Sequence, residues 1–160
     1  MINRTSLFTL FLILSGCVQF DDNGDVISNK YASFKEASKA RVFESGWLPR
    51  ALPVSAANII ETHNVDNNEI WLRFSYSGND IDRLTQTCIP TYKVQLPNTK
   101  RTKRDVAWWP KELLDSGDEK NIKRLIIFSC PKMQHASSIY PANVAIEAEI
   151  HTAWYWVVKK

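Results

Sequence analysis

The best candidates for a reactive site are His63, Asp66 and Glu69, which surround the tip of a predicted hairpin. An imidazole and two carboxylates could in principle converge on a metal ion. Their spacing does not suit a metal site, because two ligands on one strand normally occupy alternate positions. We therefore predict that Asp66 and Asn68 form the turn while His63 and Glu69 pair across the strands. A hydrolase or metal-dependent enzyme centred on His63 is the alternative.

Other catalytic patterns are missing from the sequence, including GxSxG, GxGxxG, HExxH and a glycine-rich phosphate loop. Glu147, Glu149 and His151 share one strand parity, and we interpret that polar row as the solvated face of a strand. His135 falls in a predicted loop without an evident partner. The sequence therefore predicts no cofactor and no catalysis.

Six tryptophans is a high number for this length, and tryptophan is favoured where a ring meets a binding partner. Trp47, Trp154 and Trp156 fall on predicted buried faces. The other three rings and a basic cluster could form a binding surface for a protein or an anionic polymer, and its members are Trp71, Trp108, Trp109, Lys100, Arg101, Lys103 and Arg104. Buried rings beside a charged loop are the alternative interpretation of the same residues.

The N-terminus has the pattern of an export signal. Arg4 precedes an apolar run from Leu7 to Leu14, which is too short for a transmembrane helix of about 20 residues. Ser15, Gly16 and Cys17 at its end resemble the bacterial lipobox. That resemblance implies a diacylglyceryl group on Cys17, cleavage just before it and acylation of the freed amine. A general secretory peptide that happens to contain a cysteine is the alternative.

The lipobox resemblance also predicts a location. With two or three acyl chains, the protein would be held permanently at a membrane and would face the periplasm. Lipoproteins with Asp after the cysteine tend to stay at the inner membrane, whereas this chain has Val18. We therefore expect the outer membrane rather than the inner one.

Three parts are predicted along the chain: a signal peptide at 1–16, a flexible acidic tether at 17–29 and a single globular domain at 30–160. The formal net charge of +3 falls to roughly +2 once Arg4 is removed. So weak a positive charge argues against nucleic-acid binding. In an oxidising compartment Cys88 and Cys130 form an even pair, and we predict a disulfide, with two buried free thiols as the alternative.

Local patterns predict the elements of the domain. Ser33 and Glu36 form a capping box for a helix to Ser45, and a second helix runs from Asn79 or Asp80 to Thr87. A hairpin joins 59–65 to 69–76, a central strand covers 125–130, and the end of the chain forms either a second hairpin near 151–152, which we favour, or one long bent strand. The resulting fold class is α+β, with two layers, an antiparallel sheet of about five strands and helices on one face.

Three sequence words, at 46–49 (GWLP), 52–56 (LPxSA) and 61–71 (ExHNxDxNExW), resemble a motif of small uncharacterised bacterial envelope proteins. The resemblance implies no catalytic role. Together with the lipobox, it predicts a membrane-anchored, periplasm-facing lipoprotein that acts as a non-catalytic binding or accessory module. Its expected partners are the membrane, through the lipid, and an envelope protein or anionic envelope polymer. A purely structural envelope component is a further alternative.

Overall fold

The computed structural model describes residues 25–94, 96, 108–114 and 124–157. Within these ranges seven strands form one sheet in the order β1-β2-β3-β7-β6-β5-β4, and all neighbouring pairs are antiparallel. The strands are β1 (Val26–Ser33), β2 (Ala57–Asn64), β3 (Ile70–Ser75), β4 (Ile89–Pro90), β5 (Ile126–His135), β6 (Ser138–Glu147) and β7 (Thr152–Val157). Two α-helices, α1 (Phe34–Lys39) and α2 (Asp82–Thr85), and two short 3-10 turns, Lys111–Leu113 and Ala148–Ile150, complete the described part.

The predicted α+β class is wrong, because the described fold is mainly β. The first helix ends at Lys39 rather than Ser45, since Arg41 adopts a positive φ of 61° that stops a helix. Turns then lead the chain back so that Val42 and Leu48 enter the core. Packing of these side chains outweighs the helix propensity of the residues up to Ser45.

The start of α1 is as predicted. Ser33 Oγ accepts from the backbone N–H of Glu36 at 3.3 Å. Glu36 Oε2 reaches back and accepts from the N–H of Ala32 at 2.6 Å. These two bonds satisfy donors that the first turn of the helix would otherwise leave unpaired.

Both predicted hairpins are present. At the tip of the β2–β3 hairpin, Asn64 Oδ1 accepts from the N–H groups of Asp66 and Asn67, each at 3.0 Å, and Asn68 has a φ of 56°. The β6–β7 hairpin turns through Ala148–Ile150, and His151 adopts a φ of 49°. Asn and His tolerate this left-handed conformation better than most residues.

The sheet differs from the prediction in size and order. The central position belongs to β7, whereas the strand predicted as central lies within β5, which is second from one edge. The prediction missed β1 and β4, because β1 has a mostly polar sequence and β4 has only two residues. The predicted tether also ends too late, since 26–29 belong to β1, where pairing with β2 orders them.

Both faces of the sheet are covered, which corrects the prediction of helices on one face. We call the first face the one that carries Leu72 and Tyr155, and it packs under α1, α2 and the segment that contains Leu48 and Leu52. The second face packs against the segment around Trp109 and Leu113, and its buried sheet residues include Trp71, Ala145, Trp154 and Trp156. The core therefore has two parts, one on each side of the same sheet.

Cys88, which follows α2, and Cys130 on β5 are joined in a disulfide, in agreement with the predicted pair. The bond ties the segment that follows α2 to β5 on the first face of the sheet, where Cys130 is fully buried. Among the described residues, no helix has the length and apolarity needed to cross a membrane. The predicted signal peptide, Cys17 and the tether up to residue 24 lie outside the described residues.

Candidate functional site: two buried imidazole clusters

The first cluster centres on His63, which lies on β2 with 3% of its surface exposed. Its Nδ1 lies 2.6 Å from Oε1 of Glu61, which is fully buried. The two side chains meet because residues two apart on a strand point to the same face of a sheet. Asn29, opposite Glu61 on β1, donates from Nδ2 to Glu61 Oε2 at 2.9 Å. Both carboxylate oxygens of Glu61 therefore accept hydrogen bonds.

Trp47 covers the imidazole of His63. The two rings are nearly parallel, with an interplanar angle of 9° and ring centroids 3.7 Å apart. Gly46, with a φ of 85°, makes the turn that places Trp47 there, in a conformation that glycine adopts without strain. The pair of Glu61 and His63 thus has the geometry of a carboxylate that orients an imidazole, but the ring lies beneath an indole.

The predicted trio of His63, Asp66 and Glu69 does not assemble. Asp66 is exposed at the hairpin tip, and Oε2 of Glu69 is buried without a hydrogen bond. The predicted pairing of His63 with Glu69 is wrong, because His63 lies opposite Ile70 and the carbonyl of Glu69 accepts from the N–H of Asn64. Within the described part of the chain, no group of three or more His, Cys, Asp or Glu residues could hold a metal ion. The sequence signal for the observed pair is the spacing of two residues between Glu61 and His63 on one predicted strand.

The second cluster centres on His135 at the end of β5, which corrects the prediction of a loop residue without a partner. His135 is fully buried, and its Nδ1 donates to the carbonyl oxygen of Gly46 at 2.9 Å. Because a carbonyl can only accept, Nδ1 carries the proton, and Nε2 of the neutral ring accepts from the Tyr155 hydroxyl. The ring of Tyr140 packs edge-on against the imidazole.

Burial governs ionisation in the second cluster. It lowers the pKa of His135, and the hydrogen bond to Gly46 opposes this only in part. Burial also raises the pKa of Tyr155 well above its usual value. Both groups are therefore neutral near pH 7, which suits a hydroxyl that donates to an imidazole.

One segment, 46–50, covers both imidazoles. Gly46 binds His135, and the adjacent Trp47 stacks on His63. Arg50 fixes the other end of the segment, because its N–H donates to the Gln134 carbonyl and its Nε donates to the Ala136 carbonyl, each at 3.0 Å. The two histidines therefore act as anchors for this segment on the first face.

The second cluster predicts a pH dependence of stability. A histidine in the unfolded chain titrates near pH 6.5, whereas folded His135 has a lower pKa, so the unfolded state binds more protons as the pH falls. The stabilisation is complete above about pH 6.5 and is lost on acidification, at no more than about 1.4 kcal/mol per pH unit. Urea unfolding of the wild type and of His135→Gln between pH 5 and 7.5 measures the difference in slope. Equal slopes in the two proteins would contradict the assignment.

The predicted tryptophan surface is largely a core. Trp71 is 0% and Trp109 is 4% exposed, and both pack in the cluster on the second face. Trp108 is half-buried against the same cluster. Two of the three proposed binding rings are thus removed from the surface. The basic members, Lys100, Arg101, Lys103 and Arg104, lie outside the described residues.

The polar row near the C-terminus is also less uniform than predicted. Glu147 is buried, with 8% of its surface exposed, and its Oε1 lies 3.4 Å from Nε of Arg124. Glu149 and His151 are exposed in the turn before β7. The three residues therefore do not share one solvated face.

The first cluster lies within a segment that is similar to a known family. Residues 25–75 match the model of the YbbD head domain. The match begins just before β1, ends with β3 and includes Trp47, Glu61 and His63, although it covers less than half of the 160 residues. It supports a bacterial envelope-type protein. No curated protein matches the chain, and neither does any solved structure.

Proposed function

We propose that this protein is a lipid-anchored bacterial lipoprotein that faces the periplasm and acts as a non-catalytic binding module of the cell envelope. The observation that carries the proposal is the position of the segment that matches the YbbD head domain. It begins at residue 25, about eight residues after Cys17, and a chain of that length spans at most roughly 29 Å. Lipid on Cys17 would therefore hold β1 close to a membrane surface.

The disulfide supports the same compartment. Bonds of this kind persist in the periplasm and are rare in the cytosol, where thiols are kept reduced. The bond between Cys88 and Cys130 closes a separation of 42 residues, so it constrains a large part of the chain. A protein that depends on such a bond is suited to an exported, oxidising environment.

The structural roles of His63 and His135 favour binding over catalysis. His63 and His135 are both buried, and each is engaged with fixed partners that anchor the segment 46–50. The second candidate function is an envelope hydrolase centred on His63. The hydrogen bond to Glu61 favours it, because a carboxylate commonly orients a catalytic imidazole. Trp47 would have to leave the ring before a substrate could reach it.

Metabolic labelling with a clickable palmitate analogue, followed by separation of inner and outer membranes, tests the proposal in cells. We expect the wild-type protein to be labelled and to sediment with the outer membrane. Cys17→Ser should remove the label and release the protein into the soluble periplasmic fraction. Val18→Asp is the matched control, since it should keep the label and move the protein to the inner membrane. An unlabelled wild type, or a Cys17→Ser protein in the same fraction as wild type, would refute the proposal.

A further inference from the structure

The outer edge of β1 carries an inference about what the protein binds. This strand of eight residues lies at one end of the sheet and pairs on one side with β2. An edge strand presents a row of backbone donors and acceptors that can pair with another chain. Its length and exposure make this edge a candidate for recognition by strand addition.

The register defines which groups of β1 point outward. The N–H of Asn64 bonds to β3 through the Glu69 carbonyl, and the N–H of Val65 bonds to the Asp25 carbonyl beside β1. Because hydrogen-bonding directions alternate along a strand, Ile27 and Asn29 bond toward β2. The alternate residues Val26, Ser28 and Lys30 therefore direct their backbone N–H and C=O groups away from the sheet.

The outward row has a defined end. The N–H of Ala32 also points outward, and Glu36 Oε2 accepts from it at 2.6 Å. Among the described residues, no backbone hydrogen bond outside the sheet involves the outward groups of Val26, Ser28 or Lys30. The available edge thus runs from Val26 to Lys30. It ends before Ala32, because Glu36 already accepts from the N–H of that residue.

The side chains beside this edge differ between the two faces. On the first face Ile27 is 43% exposed and lies opposite His63, on which Trp47 stacks. On the second face Lys30 is exposed and has no ion pair within the described part of the chain. Arg73 lies in the same row as Lys30, with Ile60 between them. At this edge the first face therefore presents Ile27 beside Asn29, and the second face presents Lys30, which is the one charged side chain of β1.

We propose that the outer edge of β1 binds an extended segment of a partner protein, which adds a strand to the sheet and alternates apolar with acidic side chains. The partner's apolar side chains would pack beside Ile27 on the first face. Its acidic side chains would face Lys30 on the second. This deepens the proposed binding function, and it rests on that function because the partner must share the envelope compartment.

Two fluorescent peptides of about ten residues test the proposal, one alternating Val with Glu and the other alternating Val with Lys. Binding is measured by anisotropy on the mature full-length chain with Cys17→Ser, so that the outcome does not depend on lipid. We expect the Glu peptide to bind at least about tenfold more tightly than the Lys peptide. Lys30→Glu should reverse the preference. Equal binding of the two peptides, or an unchanged preference in Lys30→Glu, would overturn the proposal.

A proline substitution tests the backbone contact. Ser28→Pro removes an outward N–H at an edge position, where proline is tolerated, and should weaken binding of the Glu peptide at least about tenfold. Ser28→Ala is the matched control, because both variants lose the 2.7 Å contact with Thr62 Oγ1 but only the proline variant loses the N–H. Equal affinities of the two variants would contradict strand addition.

Hydrogen exchange in the unmutated strand keeps the test decisive if Ser28→Pro fails to fold. The Glu peptide should slow amide exchange at Ser28 and Lys30, and leave exchange at the exposed Glu149 unchanged. Absence of protection would overturn the proposal. A concentration-dependent dimer in sedimentation, displaced by neither peptide, would also overturn it, because a second copy of the chain would then occupy the edge. These outcomes are independent of the lipid label that tests the proposed function.

Discussion

Replacing Glu61 with Ala should lower the free energy of unfolding by about 2–5 kcal/mol, at about 1–3 kcal/mol for each polar group left without its partner. Glu61 is fully buried and accepts from both His63 and Asn29, so its removal leaves the buried His63 and the half-buried Asn29 without this partner. It also frees the imidazole on which Trp47 stacks. Urea denaturation followed by tryptophan fluorescence measures the change.

Two further variants isolate the buried pair as the cause. Glu149→Ala is the matched control, since Glu149 is exposed and its loss should change stability by no more than about 0.5 kcal/mol. The double variant Glu61→Leu/His63→Leu should lose much less stability than the sum of the losses in Glu61→Leu and His63→Leu, because both polar partners are then removed together. Additive costs, or equal effects of Glu61→Ala and Glu149→Ala, would contradict the role assigned to the pair.

Loss of the disulfide should lower the free energy of unfolding by about 4 kcal/mol in the chain-entropy model. The bond between Cys88 and Cys130 closes a separation of 42 residues, and opening it gives the unfolded chain more conformations. The double variant Cys88→Ala/Cys130→Ala, compared with the oxidised wild type in urea, measures the loss. Wild type treated with a reductant should fall to a similar stability.

Single cysteine variants provide the control for the disulfide. Cys88→Ala and Cys130→Ala alone should each cost nearly as much as the double variant, because either one opens the loop. Cys130 is the more deeply buried of the two, so its replacement should add a small packing cost. Wild-type stability in the double variant would contradict the predicted restriction of the unfolded chain by the bond.

Local signals predicted the parts of the fold that depend on neighbouring residues. The capping box of Ser33 and Glu36 and the hairpin turn at 65–69 are encoded by a few adjacent side chains. The second hairpin is also present, although its turn covers Ala148–Ile150 rather than 151–152 as predicted. The pairing of Cys88 with Cys130 followed from counting cysteines in an oxidising compartment. These features needed no knowledge of how distant segments pack.

Features that depend on the register between distant strands could not be predicted in this way. β1 was assigned in part to the tether because its polar sequence lacks alternation, yet pairing with β2 orders it. The site shows the same limit. Glu61 and His63 meet along β2 rather than at the hairpin tip, where the sequence predicts the reactive trio. His135 contacts Tyr155 and Gly46 only when β7 and the loop after α1 pack against β5.

The tryptophans show why exposure is hard to predict from one sequence. Trp71 lies on the face opposite that of Leu72, and the sequence does not reveal that the segment around Trp109 covers that face. A strand with both faces buried has no solvated side to mark it. Trp71 and Trp109, which the sequence predicts on a binding surface, therefore lie in the core, whereas Trp108 is half-buried. The outward groups of β1 follow from the strand register and not from any local pattern.

The decisive measurement for the proposed lipid anchor is the mass of the N-terminal peptide, determined on protein extracted from bacterial membranes with detergent. We expect a peptide that begins at Cys17 and carries a diacylglyceryl group on sulfur and a fatty acyl group on the amine. A peptide with Cys17 unmodified, from protein recovered in the soluble fraction, would contradict the claim that a lipid holds this fold at the envelope.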